Sequence, residues 1–250
     1  MLEAVHDRPR PRRVRRAVSG FAFSMRMSWH DLLFAHWPVD ANVMRRLVPA
    51  EFELDLFDGR AWIGVVPFRM TRVGPRVLPP IPGLSSFPEI NVRTYVVRAG
   101  VAGVWFFSLD ATRRLAVRVA RRFFGLPYYE AAITSRRHGD EVEYRAERTH
   151  AGAPAARFVA RYGPTGAASP ARPGSLDHWL TERYRLYSIG RDGRVRRVEV
   201  EHAPWPLAPA TAHIEVDTMA SSLGLDLSSP PAHLRFARRV DVVSRRAVVA

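Results

Sequence analysis

Alternation of apolar and polar residues with a period of two, broken by short turns, runs through most of this 250-residue chain. Such alternation is typical of strands that bury one face. It begins at residues 21–27, and the Asp58-Gly59 pair further on is a strong hairpin signal. The spacing of the segments indicates about ten antiparallel strands and about three helices. The sequence therefore predicts an α+β, β-rich fold built on a curved antiparallel sheet or barrel.

Three segments carry helix signals. Asp40 is placed to cap a short helix that ends before Pro49, and Ser175 is placed to cap another. The strongest helical periodicity covers residues 115–123, where apolar side chains share one face and arginines the other. We expect Asp110 to be the N-cap of that helix.

The net charge of +14 is unevenly spread, because six arginines lie between Arg8 and Arg16. The prolines between them forbid a regular helix. We therefore expect a disordered arginine-rich arm at residues 1–20 and a single domain at residues 21–250, since no repeat or linker divides the remainder. A basic chain also invites a nucleic-acid interpretation, but an all-arginine composition is equally the product of a GC-rich genome.

Two residue types are missing: the chain has no cysteine, and every one of its basic Lys/Arg residues is arginine. Disulfides, zinc–thiolate sites and a cysteine nucleophile are excluded, as are lysine Schiff bases. The nine histidines lack metal-ligand spacing, and no Gly-x-Ser-x-Gly or Gly-x-Gly-x-x-Gly motif occurs. We expect neither a metal nor a cofactor.

The most informative strand is the one predicted around residues 87–96. With a period of two, one face carries a carboxylate, an amide, a guanidinium and a phenol, namely Glu89, Asn91, Arg93 and Tyr95. Such a row suits the binding of a small oxygen-rich ligand in a cavity. The alternative is a salt-bridged face that is open to water.

No run of about 18 apolar residues is present, so we expect no transmembrane helix. The N-terminal region lacks the apolar core of a signal peptide, and the protein is expected in the cytoplasm. A small-molecule ligand is the expected partner, a nucleic acid is not, and the sequence leaves open whether the chain forms a homo-oligomer.

Five ordered motifs resemble the YqjF-like proteins, a bacterial family of uncharacterised function, over roughly residues 24 to 240. The motifs are WHDLLFAHWP (29–38), DGRAWIGVVPF (58–68), FPEINVRTYV (87–96), WFFSLDA (105–111) and GLPY (125–128).

That family is thought to share its fold with acetoacetate decarboxylase, and the resemblance implies specific residues. The active-site glutamate of the decarboxylase looks like Glu89, and its basic residue near the first strand falls close to His30. Its Schiff-base lysine is the first of two lysines after a proline, which here looks like Pro127. The two lysine positions hold Tyr128 and Tyr129. Since a phenol forms no imine, the resemblance excludes decarboxylation by the familial route.

Three functions remain open. The first is an enzyme, lyase- or isomerase-like and without a Schiff base, in which Glu89 is a general acid/base, Tyr128 a proton donor and Arg93 a carboxylate clamp. The second is a non-catalytic binding or sensor domain with the same cavity, and the third is nucleic-acid association through the arm. In the first two, the expected ligand-binding residues are His30, Asn91, Tyr95, Ser108 and Tyr129.

Overall fold

The computed structural model describes residues 25–75, 85–113, 125–190, 192–245 and 247–250. The predicted arm at residues 1–20 lies outside these ranges, and so does the whole helical segment predicted at 115–123. Among the described residues, no helix has the length and apolar character needed to cross a membrane.

Strands dominate the described residues, and only two short α-helices and one 3₁₀ turn accompany them. In chain order the elements are β1 (Met25–Val39), α1 (Ala41–Leu47), β2 (Glu53–Leu54), β3 (Ala61–Pro75), β4 (Phe87–Arg98), β5 (Val101–Ala111), β6 (Tyr128–His138), β7 (Glu141–Arg148), β8 (Arg157–Pro164), α2 (Leu176–Thr181), β9 (Arg185–Ile189), β10 (Val195–Glu201), β11 (Leu207–Asp217), the 3₁₀ turn Ser221–Leu223, β12 (His233–Ser244) and β13 (Val248–Val249).

Nine strands of the described chain close into a barrel, which confirms the predicted β-rich fold. The order around the barrel is β1, β3, β4, β5, β6, β7, β8, β11, β12 and back to β1. Neighbouring strands are antiparallel except β5 and β6, which run parallel. Closure leaves these nine strands without a free edge.

A second, smaller circuit of strands shares one wall with the barrel. β9 pairs in parallel with β5 and antiparallel with β10, and β10 in turn pairs with β12. The order β4, β5, β9, β10, β12, β1, β3 therefore closes a ring of seven strands among the described residues. The barrel interior is filled by side chains such as Leu33, Ile63, Tyr144, Phe158 and Phe236, whereas the smaller ring encloses a void.

β1 contributes side chains both to the barrel core and to the smaller ring, because the side of the strand that faces the barrel changes at Asp31. Asp31 has a positive φ of 54° at a register irregularity between His30 and Ala35. The buried hydroxyl of Tyr162 donates a 3.0 Å hydrogen bond to the Asp31 carbonyl oxygen. As a result Trp29 faces the smaller ring, while Leu33 faces the barrel core.

The sequence predicts the turns more accurately than it predicts which strands pair. The alternating segments and the turns between them also predict hairpins near Gly100, at Gly139-Asp140 and at residues 191–193, and these join β4 to β5, β6 to β7 and β9 to β10. Asp58 and Gly59 also form their predicted turn, with φ of 49° and 75°. The predicted hairpin forms as a single antiparallel bridge between Phe57 and Arg60, whereas β2 pairs with Val96 and Val97 of β4 and not with β3. Turn chemistry is local, whereas the partner of β2 depends on which strands lie beside it in the sheet.

Both short helices begin as predicted. The Asp40 side chain accepts hydrogen bonds from the backbone N–H groups of Asn42 and Val43, at 2.8 and 3.2 Å. The Ser175 hydroxyl accepts one from His178 N at 3.3 Å. These caps satisfy N–H groups that the first helical turn leaves unpaired.

Candidate functional site

The smaller ring encloses a cavity of about 200 Å³. Its walls come from β1, β3, β4, β5, β9, β10 and β12, together with the residues that flank α2. Most of the lining is apolar, with large contributions from Met25, Met27, Trp29, Leu32, Phe68, Met70, Phe106, Leu186, Val200 and Trp205. A mainly apolar cavity with a few polar groups on one wall is the usual form of a small-molecule site.

The polar wall comes from β4, the strand that the sequence singled out. Glu89, Asn91 and Arg93 all line the cavity, because alternate residues of a strand point to one face. They follow one another at intervals of roughly 7 Å along the strand. Tyr95 is the next residue in this alternation, but it is not part of the cavity lining and packs beside it.

Glu89 is bonded to Tyr128 at this wall. The Tyr128 hydroxyl donates a 2.9 Å hydrogen bond to Glu89 Oε2, although 39 positions separate the two residues. β6 begins at Tyr128 and pairs with β5 at Leu109, which in turn pairs with Asn91 of β4. Both side chains line the cavity, and Glu89 is only 2% exposed.

Burial changes the acidity of both groups. It raises the pKa of Glu89 to about 8, and the negative charge of Asp110 acts in the same direction, whereas the Tyr128 hydrogen bond opposes the rise. Burial and the neighbouring Glu89 carboxylate raise the pKa of Tyr128 well above 10. Near neutral pH Tyr128 is therefore a neutral phenol, and Glu89 exchanges a proton within the physiological range.

The prediction that Asp110 caps a helix is wrong. Asp110 lies inside β5, and its carboxylate accepts two hydrogen bonds from Arg148, from Nε at 2.6 Å and from Nη2 at 2.8 Å. Both side chains are buried, with 3% of Arg148 and 1% of Asp110 exposed. The Arg148 guanidinium thus pairs with a carboxylate that lies next to Glu89, and the sequence could not reveal this pair because Arg148 lies 38 positions away.

Two guanidinium groups reach the cavity. Arg183 donates to Asp55 Oδ2 at 2.5 Å, so its charge is balanced. Arg93 forms no ion pair within the described ranges; its Cζ lies 5.4 Å from the Phe34 ring centroid and 5.8 Å from that of Tyr95. The cavity therefore carries one guanidinium whose charge no carboxylate balances.

Asn91 also has unused hydrogen-bonding capacity. Its Oδ1 is buried, and no donor within the described part of the chain reaches it. Since buried polar atoms are nearly always paired, such an atom beside a cavity points to a ligand group.

Several lining residues were not predicted as site residues. Arg183, His202 and Trp205 follow α2 and β10, and no local pattern separates them from other loop residues. Trp29 and Trp205 stack at 5.9 Å between ring centroids, while His202 Nδ1 lies 2.8 Å from the Ala203 carbonyl oxygen. Only the closure of the smaller ring brings them to the cavity.

The other predicted residues lie outside the lining. Tyr95 hydroxyl is 2.7 Å from His36 Nε2, and Ser108 is buried in β5 with no hydrogen-bond partner for its Oγ among the described residues. Tyr129 packs under Arg148, whose Cζ lies 4.1 Å from the ring centroid. His30 Nε2 is 2.8 Å from Thr71 Oγ1, at a separate surface depression.

The described residues contain no group of three or more His, Asp or Glu side chains arranged to hold a metal ion. The arm that would carry nucleic-acid association lies outside the described ranges, as does the arginine face of the predicted helix.

Comparison with known proteins adds a family and a fold. The model of the family DUF2071, described as an uncharacterized conserved protein, matches residues 26–241. The uncharacterized protein YqjF of Bacillus subtilis (strain 168) is 46% identical over 219 residues, which cover 88% of this chain and 89% of that protein. Acetoacetate decarboxylase from Legionella pneumophila superposes with a TM-score of 0.63 at 13% identity, covering 97% of this chain and 92% of that one. The enduracididine biosynthesis enzyme MppR in complex with pyruvate superposes with a TM-score of 0.56 at 12% identity, covering 91% and 88%.

Proposed function

This chain belongs to the DUF2071 family of uncharacterized conserved proteins, as its YqjF-like motifs predicted, and we propose that its cavity binds a small carboxylate or ketone and transfers a proton on it. The fold is that of acetoacetate decarboxylase. Decarboxylation through an imine needs an amine, and the chain contains no lysine. The proposed chemistry is therefore acid–base chemistry without a Schiff base.

The observation that carries this proposal is the buried Glu89–Tyr128 pair at the cavity wall, with its 2.9 Å hydrogen bond. Glu89, with a pKa of about 8, is close to the value that suits a general acid/base near neutral pH. Tyr128 keeps its proton across this range and supplies a fixed hydrogen-bond donor. Together they provide a group that moves a proton and a group that stabilises negative charge on oxygen.

The proton step balances within the site. Ionised Glu89 removes a proton from the carbon next to a ketone, which leaves an enolate and a protonated Glu89. A hydrogen bond from Tyr128 or Arg93 stabilises the enolate oxygen. Return of the proton to the same carbon regenerates the ketone. Where the ketone has a double bond between its β and γ carbons, the enolate is a dienolate, and return of the proton to the γ carbon gives the conjugated isomer.

Arg93 serves as the carboxylate clamp in this proposal. Its guanidinium lines the cavity and, among the described residues, has no carboxylate partner. The protein MppR, which has the same fold, is described in complex with pyruvate, a small 2-oxo carboxylate. That precedent supports a ligand of the carboxylate or ketone class here.

Solvent exchange provides the test. The intact protein is incubated in D₂O with pyruvate, 2-oxobutyrate, acetoacetate and levulinate, and loss of the α-proton signal is followed by ¹H NMR. We expect catalysed exchange of at least one of these compounds. Glu89→Gln should reduce it by at least about 100-fold, the usual contribution of a general base. The matched control is Glu143→Gln, which changes a partly exposed glutamate on β7 that accepts a 3.0 Å hydrogen bond from Arg145 and does not line the cavity.

The outcomes separate the two functions that share the cavity. Exchange that depends on Glu89 but not on Glu143 supports the enzyme. Ligands that raise the melting temperature in an Arg93-dependent way but never exchange support a binding or sensor domain instead, and overturn the catalytic part. Full exchange by Glu89→Gln would overturn the catalytic role of Glu89, and absence of both exchange and binding in the wild type would overturn both functions.

A further inference from the structure

The cavity is divided into a charged end and a hydrocarbon end. The charged end contains Glu89, Asn91 and Arg93 of β4, together with Arg183. At the other end Trp29 and Trp205 stack with an interplanar angle of 18°. A small hydrophilic acid would fill the charged end and leave this aromatic wall in contact with water, which is unfavourable.

A single side chain connects the two ends. The Phe34 ring lies edge-on to Trp205, with centroids 5.0 Å apart, and its centroid is 5.4 Å from Arg93 Cζ. The Trp29 ring is also in edge contact with Phe68, which pairs with Glu89 across β3 and β4. The aromatic wall and the guanidinium therefore border the same space, within the reach of one small molecule.

Among the other polar lining residues, only Arg183 adds a charge, although Arg183 Nη2 and the Nε1 atoms of Trp29 and Trp205 are buried without a hydrogen-bond partner within the described residues. Thr181 Oγ1 donates to the Asp177 carbonyl oxygen at 2.7 Å, and His202 Nδ1 is bonded to the Ala203 carbonyl. Arg183 is held by Asp55. The charge left for a ligand to balance is that of Arg93, which corresponds to one carboxylate.

The volume sets the size of the hydrocarbon part. A dry protein cavity of about 150 Å³ accommodates benzene. This cavity measures about 200 Å³, which adds enough room for a carboxylate beside a six-membered ring.

Resting on the proposed function, we infer that the ligand is a monocarboxylic acid with a single hydrocarbon ring, between benzoate and 3-phenylpropionate in size. Its carboxylate binds Arg93, and its ring lies against Trp29 and Trp205. The bound ring removes apolar surface of both molecules from water. The carboxylate pairs with the partly buried Arg93 guanidinium, which has no carboxylate partner among the described residues.

Binding is measured by calorimetry with the full chain at pH 6.5. One series contains benzoate, phenylacetate, 3-phenylpropionate and cyclohexanecarboxylate, and the other contains acetate, pyruvate and acetoacetate. We expect the ring acids to bind at least about tenfold more tightly, because burial of a ring contributes more than that factor. Benzyl alcohol reports on the ring without the charge.

Two variants test which part of the ligand binds at the charged end of the cavity and which part binds at the hydrocarbon end. Arg93→Gln should weaken every acid by about tenfold or more and leave benzyl alcohol unchanged. Val73→Trp fills the hydrocarbon end from a partly buried position of β3, so it should remove ring-acid binding and spare pyruvate. Val200→Phe on β10 is the second filling variant, used if the first does not give a cooperative thermal transition.

The results distinguish this inference from the proposal beneath it. If pyruvate or acetoacetate binds and exchanges while the ring acids do not bind, the ligand class is wrong and the proposed function stands. Ring-acid binding that depends on both Arg93 and Val73 supports the inference, even if no proton exchanges. If neither series binds the folded protein, both are wrong.

Discussion

The phenol of Tyr144 donates a 2.7 Å hydrogen bond to the backbone carbonyl oxygen of Glu89 from inside the barrel core. Tyr144 is fully buried on β7, whereas the Glu89 side chain faces the cavity on the opposite side of β4. The packed barrel thus fixes the backbone that carries the acid/base candidate. The packed barrel is therefore the rigid part of this fold, and the smaller ring contains the cavity.

Removal of that hydroxyl should cost stability. Tyr144→Phe leaves a buried carbonyl without this donor, and we expect a loss of roughly 1–3 kcal/mol in the free energy of unfolding. Urea denaturation measures it. The matched control is Tyr162→Phe, which removes the corresponding hydrogen bond to the Asp31 carbonyl oxygen. We expect a similar loss of stability in this variant and no change in the pKa of Glu89. Unchanged stability of Tyr144→Phe would contradict the assigned role.

Tyr128→Phe should raise the pKa of Glu89 above its value of about 8. The Tyr128 hydrogen bond stabilises the ionised carboxylate, so its loss favours the protonated form. The measurement is ¹³C NMR titration of glutamate-labelled protein, with the signal assigned through Glu89→Gln. Tyr129→Phe lies outside the cavity lining and serves as the control. A fall of the Glu89 pKa in Tyr128→Phe would show that the bond has the opposite effect.

Glu89 should make the folded state less stable as pH rises. Its pKa is about 8 in the folded protein against 4.5 in the unfolded chain, so the folded state binds more protons between these values. The free energy of unfolding therefore decreases from pH 4.5 to 8, by roughly 5 kcal/mol at most. Buried Asp217, whose pKa is raised to about 7, acts in the same direction.

The contribution of Glu89 to the pH dependence of stability is obtained by comparing the wild type with Glu89→Gln. Urea denaturation of the wild type and of Glu89→Gln at pH 5 and pH 8 should give a smaller decrease of stability with pH in the variant, because the Glu89 contribution is absent. Equal pH effects in the two proteins would mean that Glu89 titrates near its ordinary value.

Arg148→Met should be strongly destabilising. It leaves the carboxylate of Asp110 buried without its two hydrogen bonds, and the breaking of a buried pair typically costs about 3–5 kcal/mol. Arg145→Met, three residues away on the same strand, removes a solvent-accessible pair with Glu143 and should have little effect. Thermal and urea denaturation compare the two. Similar stability of the two variants would contradict the importance of the buried pair.

Gly64→Ala tests the close packing between β1, β3 and β4. A Cβ at Gly64 would lie 2.7 Å from His36 Nε2 and 3.5 Å from Arg93 Cγ. The buried His36 ring cannot move away freely, and we expect a loss of roughly 1–3 kcal/mol. Gly74→Ala on the same strand has no atom within 4 Å of its added Cβ and provides the control. Equal thermal stability of the two variants would show that His36 relaxes without cost.

Features that depend only on residues close together in the chain can be predicted from the sequence. The row of Glu89, Asn91 and Arg93 on one face follows from the two-residue period of a strand, and the hairpin at Gly139 and the cap at Asp40 follow from turn and helix-end chemistry. The absence of lysine excludes the imine route whatever the fold. These properties need only local geometry or composition, so they can be predicted without knowledge of which strands meet.

The residues that surround Glu89, Asn91 and Arg93 depend on the tertiary structure and could not be predicted from the sequence. The 2.9 Å contact of Tyr128 with Glu89 depends on the parallel pairing of β5 with β6, and the position of Arg183 depends on closure of the smaller ring. Asp110 carries a sequence signal for a helix cap, yet Arg148, far along the chain, makes it a buried ion-pair partner. Partners brought together by sheet closure are selected by the packing of the whole chain, and no local sequence pattern encodes that choice.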